Sequence, residues 1–255
     1  TMRRFTSPNV LAVLPGSDPA LKDEYVLLMA HLDHEAVEPT REGDQIYNGA
    51  MDNASGVATM LEVARAMAES GERPKRSILF AAVTAEEDGL LGAEYLAKHP
   101  VTGAGKVVGV VNLDMPVLLY DFTDVIAFGA NHSTLGEAVR RAGAQMNIAL
   151  SPDPLPQEGL FTRSDHYKFV REGVPSVFLM TGFANGGEKQ FTDFLANHYH
   201  KVSDETKLPF DWSAGAKFAK INYLIAREIA NAPAAPAWNA DSFFNPANSG
   251  AKKRP

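Results

Sequence analysis

The chain contains no cysteine. That excludes disulfides and any thiolate zinc site, and it leaves His, Asp and Glu as the donors for a metal. It does not fix the compartment. Nor is there an apolar run long enough to span a bilayer. Basic residues are in the minority: 24 Lys and Arg stand against 31 Asp and Glu, for a net charge of -7 and a pI near 5.5. A nucleic-acid partner would show as a basic patch or stripe, and none is visible. The acidic balance reads as solubility rather than as a clue to a substrate. Thr1-Met2-Arg3-Arg4-Phe5 is basic, but no apolar stretch follows it, so no signal peptide is legible. With no capping or turn signal at its start, the chain reads as truncated or processed.

What is present is globular. The 255 residues are 45% hydrophobic and 22% charged, which suits one large domain or two small ones with a sizeable core. Asn9 to Leu14 reads as a strand stopped by Pro15-Gly16, and Glu24 to Ala30 as another; with Gly16 to Asp23 between them they suggest a hairpin. A helix is expected from Ser55 to Ser70, ending near Gly71, with Ser55 able to cap it. Further strands are expected at Arg76 to Thr84, Val107 to Leu113, Val125 to Phe128 and Val174 to Met180. Helices are expected at Leu90 to His99, Ser133 to Gly143, Ser164 to Arg171 and Ser213 to Ala230. Ser151 to Glu158, with its prolines, and Thr181 to Pro209 read as loop or polar stretch. Alternating strands and helices, with near-continuous apolar strands, argue for an α/β sandwich on a mainly parallel sheet. Such sheets bind ligands beyond the carboxyl ends of their strands.

The polar residues follow that rule. His31, Glu86 with Glu87, and Asp114 each follow a strand, while Asp52 and His200 lie in loops. Asp52 sits between Gly49-Ala50 and Asn53-Ala54-Ser55-Gly56, small turn-prone residues that let the backbone approach a bound group. Each of these residues alone has an ordinary structural explanation: an Asx turn for Asp52, a solvated helix start for Glu86-Glu87, a strand-end cap for Asp114. Together they differ. Carboxylates gathered at one sheet edge would repel one another, and a cation removes the difficulty. Two His and three acidic groups suit zinc or its neighbours.

Taken in order, the segments His31-Leu32-Asp33, Asn48 to Gly56, Ala85-Glu86-Glu87 with Gly89-Leu90-Leu91-Gly92, Asn112-Leu113-Asp114-Met115 and Tyr199-His200 resemble the secreted bacterial zinc aminopeptidases. Those enzymes are related to glutamate carboxypeptidases and glutaminyl cyclases. The likeness covers about Asn9 to Ala230 and implies a three-layer α/β/α sandwich of the zinc-exopeptidase type with a mixed, mainly parallel sheet. It implies two zinc ions per chain: Asp52 bridging, His31 and Asp114 completing one site, Glu87 and His200 the other. Glu86 is then the general base and Tyr199 a donor to the oxyanion. Asp33 would hold the ring of His31, and Asp204 would do similar work for the second site. Arg163, Asp165 and His166 would lie at the substrate pocket, although Asp165 and His166 equally suit a helix start. Family members often carry a cis peptide after the bridging aspartate, which implies one at Asp52–Asn53.

The implied activity is hydrolysis of the N-terminal peptide bond of a peptide, and the implied location secreted or periplasmic. The expected state is a monomer or weak oligomer. Residues 1–232 form the expected catalytic domain. Residues 233–255, rich in Ala, Pro, Asn and Lys, form a tail expected to be largely poorly ordered, though Trp238, Phe243 and Phe244 could pack down. A protease-associated domain, found in larger relatives, would have to precede Thr1. His34, His99, His132 and His198 have no motif support and read as surface or structural. Met51 replaces a second acidic residue that is not a ligand in the family pattern. The rivals are a glutaminyl cyclase, which uses one zinc and lacks the match to His31, and a carboxypeptidase, which would want an arginine cluster where only Arg163 is available. A non-catalytic binding module is a third, but such homologues have lost ligands that are intact here.

Overall fold

The structure, a computed structural model, describes residues 6–248. Its frame is a seven-stranded mixed sheet in the order β1-β3-β2-β4-β7-β5-β6. The strands are β1 (Val10–Leu14), β2 (Glu24–His31), β3 (Ser77–Val83), β4 (Lys106–Leu113), β5 (Asp124–Phe128), β6 (Ala149–Ser151) and β7 (Ser176–Thr181). The helices are α1 (Ser55–Glu69), α2 (Leu91–Lys98), α3 (Leu135–Ala144), α4 (His166–Arg171), α5 (Gly187–Asn197) and α6 (Trp212–Asn231). The adjacent strands β3, β2, β4 and β7 run parallel, so their carboxyl ends meet at one edge of the sheet. Strands β1 and β5 run antiparallel to their partners β3 and β7.

The strands are apolar throughout because both faces are covered. Val26, Leu28 and Ala30 of β2 pack with Met60, Val63 and Met67 of α1 and with Phe218, Ile221 and Ile225 of α6. The intervening Leu27 and Met29 face Ala93 and Leu96 of α2 and Phe169 of α4. Helix α3 joins the first layer through Val139 and Ala142. At the opposite end of the sheet from the ligand edge, the buried guanidinium of Arg76 donates to Glu24 Oε2 at 2.8 Å and to the Ala232 carbonyl at 2.5 Å, tying α6 to the starts of β2 and β3. Among the described residues no helix is long and apolar enough to cross a membrane.

Four sequence expectations change. The hairpin of β1 with β2 does not form: β1 pairs with β3, Val10 opposite Ala82, and lies at the sheet edge. Ser55 does not cap α1; its hydroxyl donates to the Met51 carbonyl at 2.7 Å. The polar stretch after Thr181 contains α5, and Ser151, the first residue of the expected loop, instead ends β6. The tail is ordered as far as it is described: Trp238 bridges to Ser133 and donates its indole N–H to Gly173, and Phe244 packs on the core, while Phe243 stays exposed. Residues 249–255 lie outside the described residues.

Candidate functional site

The parallel strands deliver the chemistry. β2 ends on His31, β3 leads through Ala85 into Glu86 and Glu87, and β4 leads into Asp114. Asp52 comes from the turn Ala50–Ala54 ahead of α1, and His200 from the segment after α5. Gly49 opens that turn with φ 62°, and a Cβ there would meet the Asp52 carbonyl at 2.4 Å, so glycine is required. The peptide Asp52–Asn53 is cis, as the family resemblance implied. Asp204 accepts the amides of Met51 and Asp52 at 2.8 and 3.0 Å. Asn53 donates to Leu113 and accepts from Gly56 and Met115. The turn is thereby stitched to β4, α1 and the loop beyond α5.

Two donor groups result, with Asp52 in both. His31 Nε2 lies 3.2 Å from Asp52 Oδ1 and 3.2 Å from Asp114 Oδ1. His200 Nε2 lies 3.3 Å from Asp52 Oδ2 and 3.3 Å from Glu87 Oε2. The Nδ1–H of His31 donates to the main-chain carbonyl of Asp33 at 3.1 Å, which leaves Nε2 facing the carboxylates. An imidazole lone pair turned toward two carboxylates is unfavourable unless a proton or a cation lies between them.

The electrostatics point the same way. Burial disfavours charge on His31, but Asp114 and Asp52 outweigh it and raise its pKa well above the ordinary value. Burial also works against ionised Asp52, yet its contacts with His200 and His31 hold it well below the usual carboxylate range. Burial, then Asp114, pushes Glu86 up to about 9. Burial alone dominates at Asp165, pushed up to about 8. So many carboxyl groups cannot all ionise together without compensating positive charge. Nitrogen and oxygen donors with no sulfur suit divalent zinc, and bound cations would offset this repulsion, so the residues fit a metal centre.

Several assignments shift at this level. Asp33 meets His31 through its carbonyl; its carboxylate Oδ1 is 3.9 Å away. Asp204 serves the Asp52 turn, and it is Glu35 that faces His200, Oε1 to Nδ1 at 2.9 Å. Of the two readings given for His34, surface or structural, the structural one fits: the half-buried ring donates from Nδ1 to Glu87 Oε1 at 2.9 Å. Asp165 and His166 do not line the cavity. Both are fully buried, and His166 donates from Nε2 to Phe161, its pKa lowered by burial to about 4. Ser164, just before them, donates to Asp114 Oδ2 at 2.5 Å and accepts from Asn112 at 2.7 Å. No motif marks Glu35, and only proximity to His31 hints at His34; Ser164 opens the Ser164-Asp165-His166 segment that resembles a family segment near the substrate pocket, but nothing in that segment assigns it to Asp114.

Beside the ligand groups opens a cavity of about 210 Å³. His31, Asp52, Glu86, Glu87 and Asp114 form its polar end, and Leu160, Phe178, Met180, Phe191 and Leu195 its apolar wall. Arg163 and Tyr199 also line it. Burial, then Asp52, pushes the Tyr199 hydroxyl upward, so it remains a protonated donor.

The chain is similar to known proteins in sequence and in fold. The chain is 31% identical over 264 residues to a Pyricularia oryzae protein named "Probable zinc metalloprotease", a match covering 88% of this chain and 50% of that one. It thus spans about half the length of that curated relative. Its fold matches a zinc aminopeptidase from Bacillus subtilis at TM-score 0.66 and 21% identity, over 88% of this chain and 50% of that one. It also matches the Porphyromonas gingivalis glutaminyl cyclase at TM-score 0.62 and 20% identity, over 86% and 76%. The model of Peptidase family M28 matches residues 9–226, which hold all seven strands and every candidate ligand, and the chain belongs to that family of metallopeptidases.

Proposed function

We propose that this chain is an aminopeptidase with two zinc ions, cleaving the first peptide bond of a peptide with a free amino terminus. The observation that carries the reading is the division of Asp52 between the two donor groups, Oδ1 toward His31 and Oδ2 toward His200. His31, Asp52 and Asp114 would hold one ion, and Asp52, Glu87 and His200 the other. When bound, such a pair supplies Lewis acidity and lowers the pKa of water toward neutrality.

The remaining work falls to side chains. Glu86, in the cavity beside the ligands, takes the proton of the attacking water and returns it to the nitrogen of the leaving amine. Positive charge at the centre lowers the Glu86 pKa from its raised value, so the carboxylate is available as a base. Tyr199 presents a neutral hydroxyl to the oxygen that gains negative charge. The cavity is smaller than the ~300–1,000 Å³ of a drug-sized ligand site, so it suits a single side chain. Its wall of Leu160, Phe178, Met180, Phe191 and Leu195 favours an apolar first residue.

The test is elemental analysis after zinc loading and desalting, followed by a panel of aminoacyl anilides. Two zinc per chain with fastest turnover of leucyl and phenylalanyl substrates, and none of their N-acetyl forms, is expected. One zinc with ring closure of N-terminal glutamine would replace this reading by the cyclase. Cleavage from the carboxyl end would move Arg163 and a carboxypeptidase to the front.

A further inference from the structure

The loop that leaves β2 does more than supply His31. Its next residues reach the other half of the site. His34 donates from Nδ1 to Glu87 Oε1 at 2.9 Å, while Glu87 Oε2 faces His200 Nε2 at 3.3 Å. Glu35 Oε1 lies 2.9 Å from His200 Nδ1, the ring nitrogen turned away from Asp52. The rings of His34 and His200 meet edge to face at 5.6 Å. Thus the donor atoms of Glu87 and His200 that face each other are each backed from the far side of the same side chain, Glu87 by a hydrogen bond from His34 and His200 by the carboxylate of Glu35 at ion-pair distance.

We infer that His34 and Glu35 are positioning residues: they fix the free oxygen of Glu87 and the outer nitrogen of His200, and so set the metal affinity of that site separately from the His31–Asp114 site. The inference rests on the two-metal reading above. A carboxylate or carbonyl on the second nitrogen of a metal-bound histidine fixes its tautomer and orientation, and losing such a partner typically weakens metal binding ~10–100-fold. The His34 side chain is only 7% accessible, whereas that of Glu35 is 42% accessible and its contact is screened by water. The larger effect therefore belongs to His34. One loop then adjoins both halves of the centre, with a ligand in one and the supports of the other.

The test is a calorimetric titration of metal-stripped protein with zinc(II), resolving two binding steps, in the wild type, His34→Ala, Glu35→Ala and His200→Ala. The step abolished by His200→Ala identifies the site in question. His34→Ala should weaken that same step about 10–100-fold, and Glu35→Ala about tenfold, with the other step unchanged as an internal check on folding. His34→Asn, whose side-chain amide keeps a donor near the position of Nδ1, should restore most of the affinity, as should Glu35→Gln, which keeps an acceptor. If both steps stay at wild-type affinity in the alanine variants, or both fall together, the inference is overturned while the two-metal reading stands. A wild type that binds fewer than two zinc ions overturns both.

Discussion

At the scale of the residue, Glu86 and Glu87 are neighbours with different work. Glu87 sits between His34 and His200, each within hydrogen-bond reach or close to it, and is held as a ligand would be. Among the described residues Glu86 has no hydrogen bond to a candidate ligand, and it borders the cavity. The substitution Glu86→Gln should therefore keep both zinc ions and lower kcat by about 10²–10⁴-fold or more, measured with a leucyl anilide beside a metal assay. Turnover at the wild-type rate would remove Glu86 from the role of base. The ligand candidates were readable in the sequence because each lies in a motif tied to a strand end or a glycine-flanked turn. Glu35, His34 and the contact of Ser164 with Asp114 were not, because the partners lie on segments distant in the chain. No local pattern records that His200 will arrive beside Glu35.

At the scale of the element, the start of α1 depends on what the helix touches. An alanine in place of a helical glycine ordinarily gains about 1 kcal/mol. At Gly56 a Cβ would meet Asn53 Oδ1 at 2.2 Å and the Leu113 carbonyl at 2.4 Å. Both belong to the stitching of the Asp52 turn, so Gly56→Ala should destabilise by about 1–3 kcal/mol in urea titration rather than stabilise. Helix α6 begins with a side-chain cap: Asp211 accepts from the amides of Ser213 and Ala214 at 2.9 and 3.0 Å. The Ser213 hydroxyl first, and then the Ala214 amide, lower the Asp211 pKa. A lowered folded pKa contributes stability that is full above the unfolded value of about 3.9 and fades as pH falls through the folded value. Asp211→Ala should then cost about 1 kcal/mol at pH 7, and the gap from wild type should shrink below pH ~4. An unchanged gap at acid pH would mean the cap is not the cause. The missed helix α5 does carry a helical signal, Phe191, Phe194 and Leu195, but the polar residues around it dilute the pattern.

At the scale of the whole molecule, the candidate ligand groups come from ends of β2, β3 and β4, from the turn before α1 and from the segment after α5. A cation held there clips distant parts of the chain together and binds the native state only. Zinc should therefore raise the melting temperature, by an amount corresponding to about 4 kcal/mol at a free concentration a thousand times Kd. A chelator should reverse it. In Asp52→Asn, which weakens the group proposed to serve both sites, the zinc-dependent rise should largely disappear. A full rise in that variant would show that Asp52 does not bridge.

The sequence by itself determined the candidates for the chemistry, most of the strands and helices, and the parallel α/β arrangement that sends strand ends to one edge. These follow from local periodicity and from residue type, which are properties of short segments. Tertiary structure decided the rest. It placed β1 beside β3 instead of β2, because an edge strand is chosen by which partner buries its exposed backbone and not by nearness in sequence. It drew Asp165 and His166 into the interior, moved Asp204 to the Asp52 turn, and brought Glu35 to His200. It also built the apolar wall of the cavity from residues of β7, α5 and the loop at Leu160, segments whose meeting depends on the packing of the complete sheet.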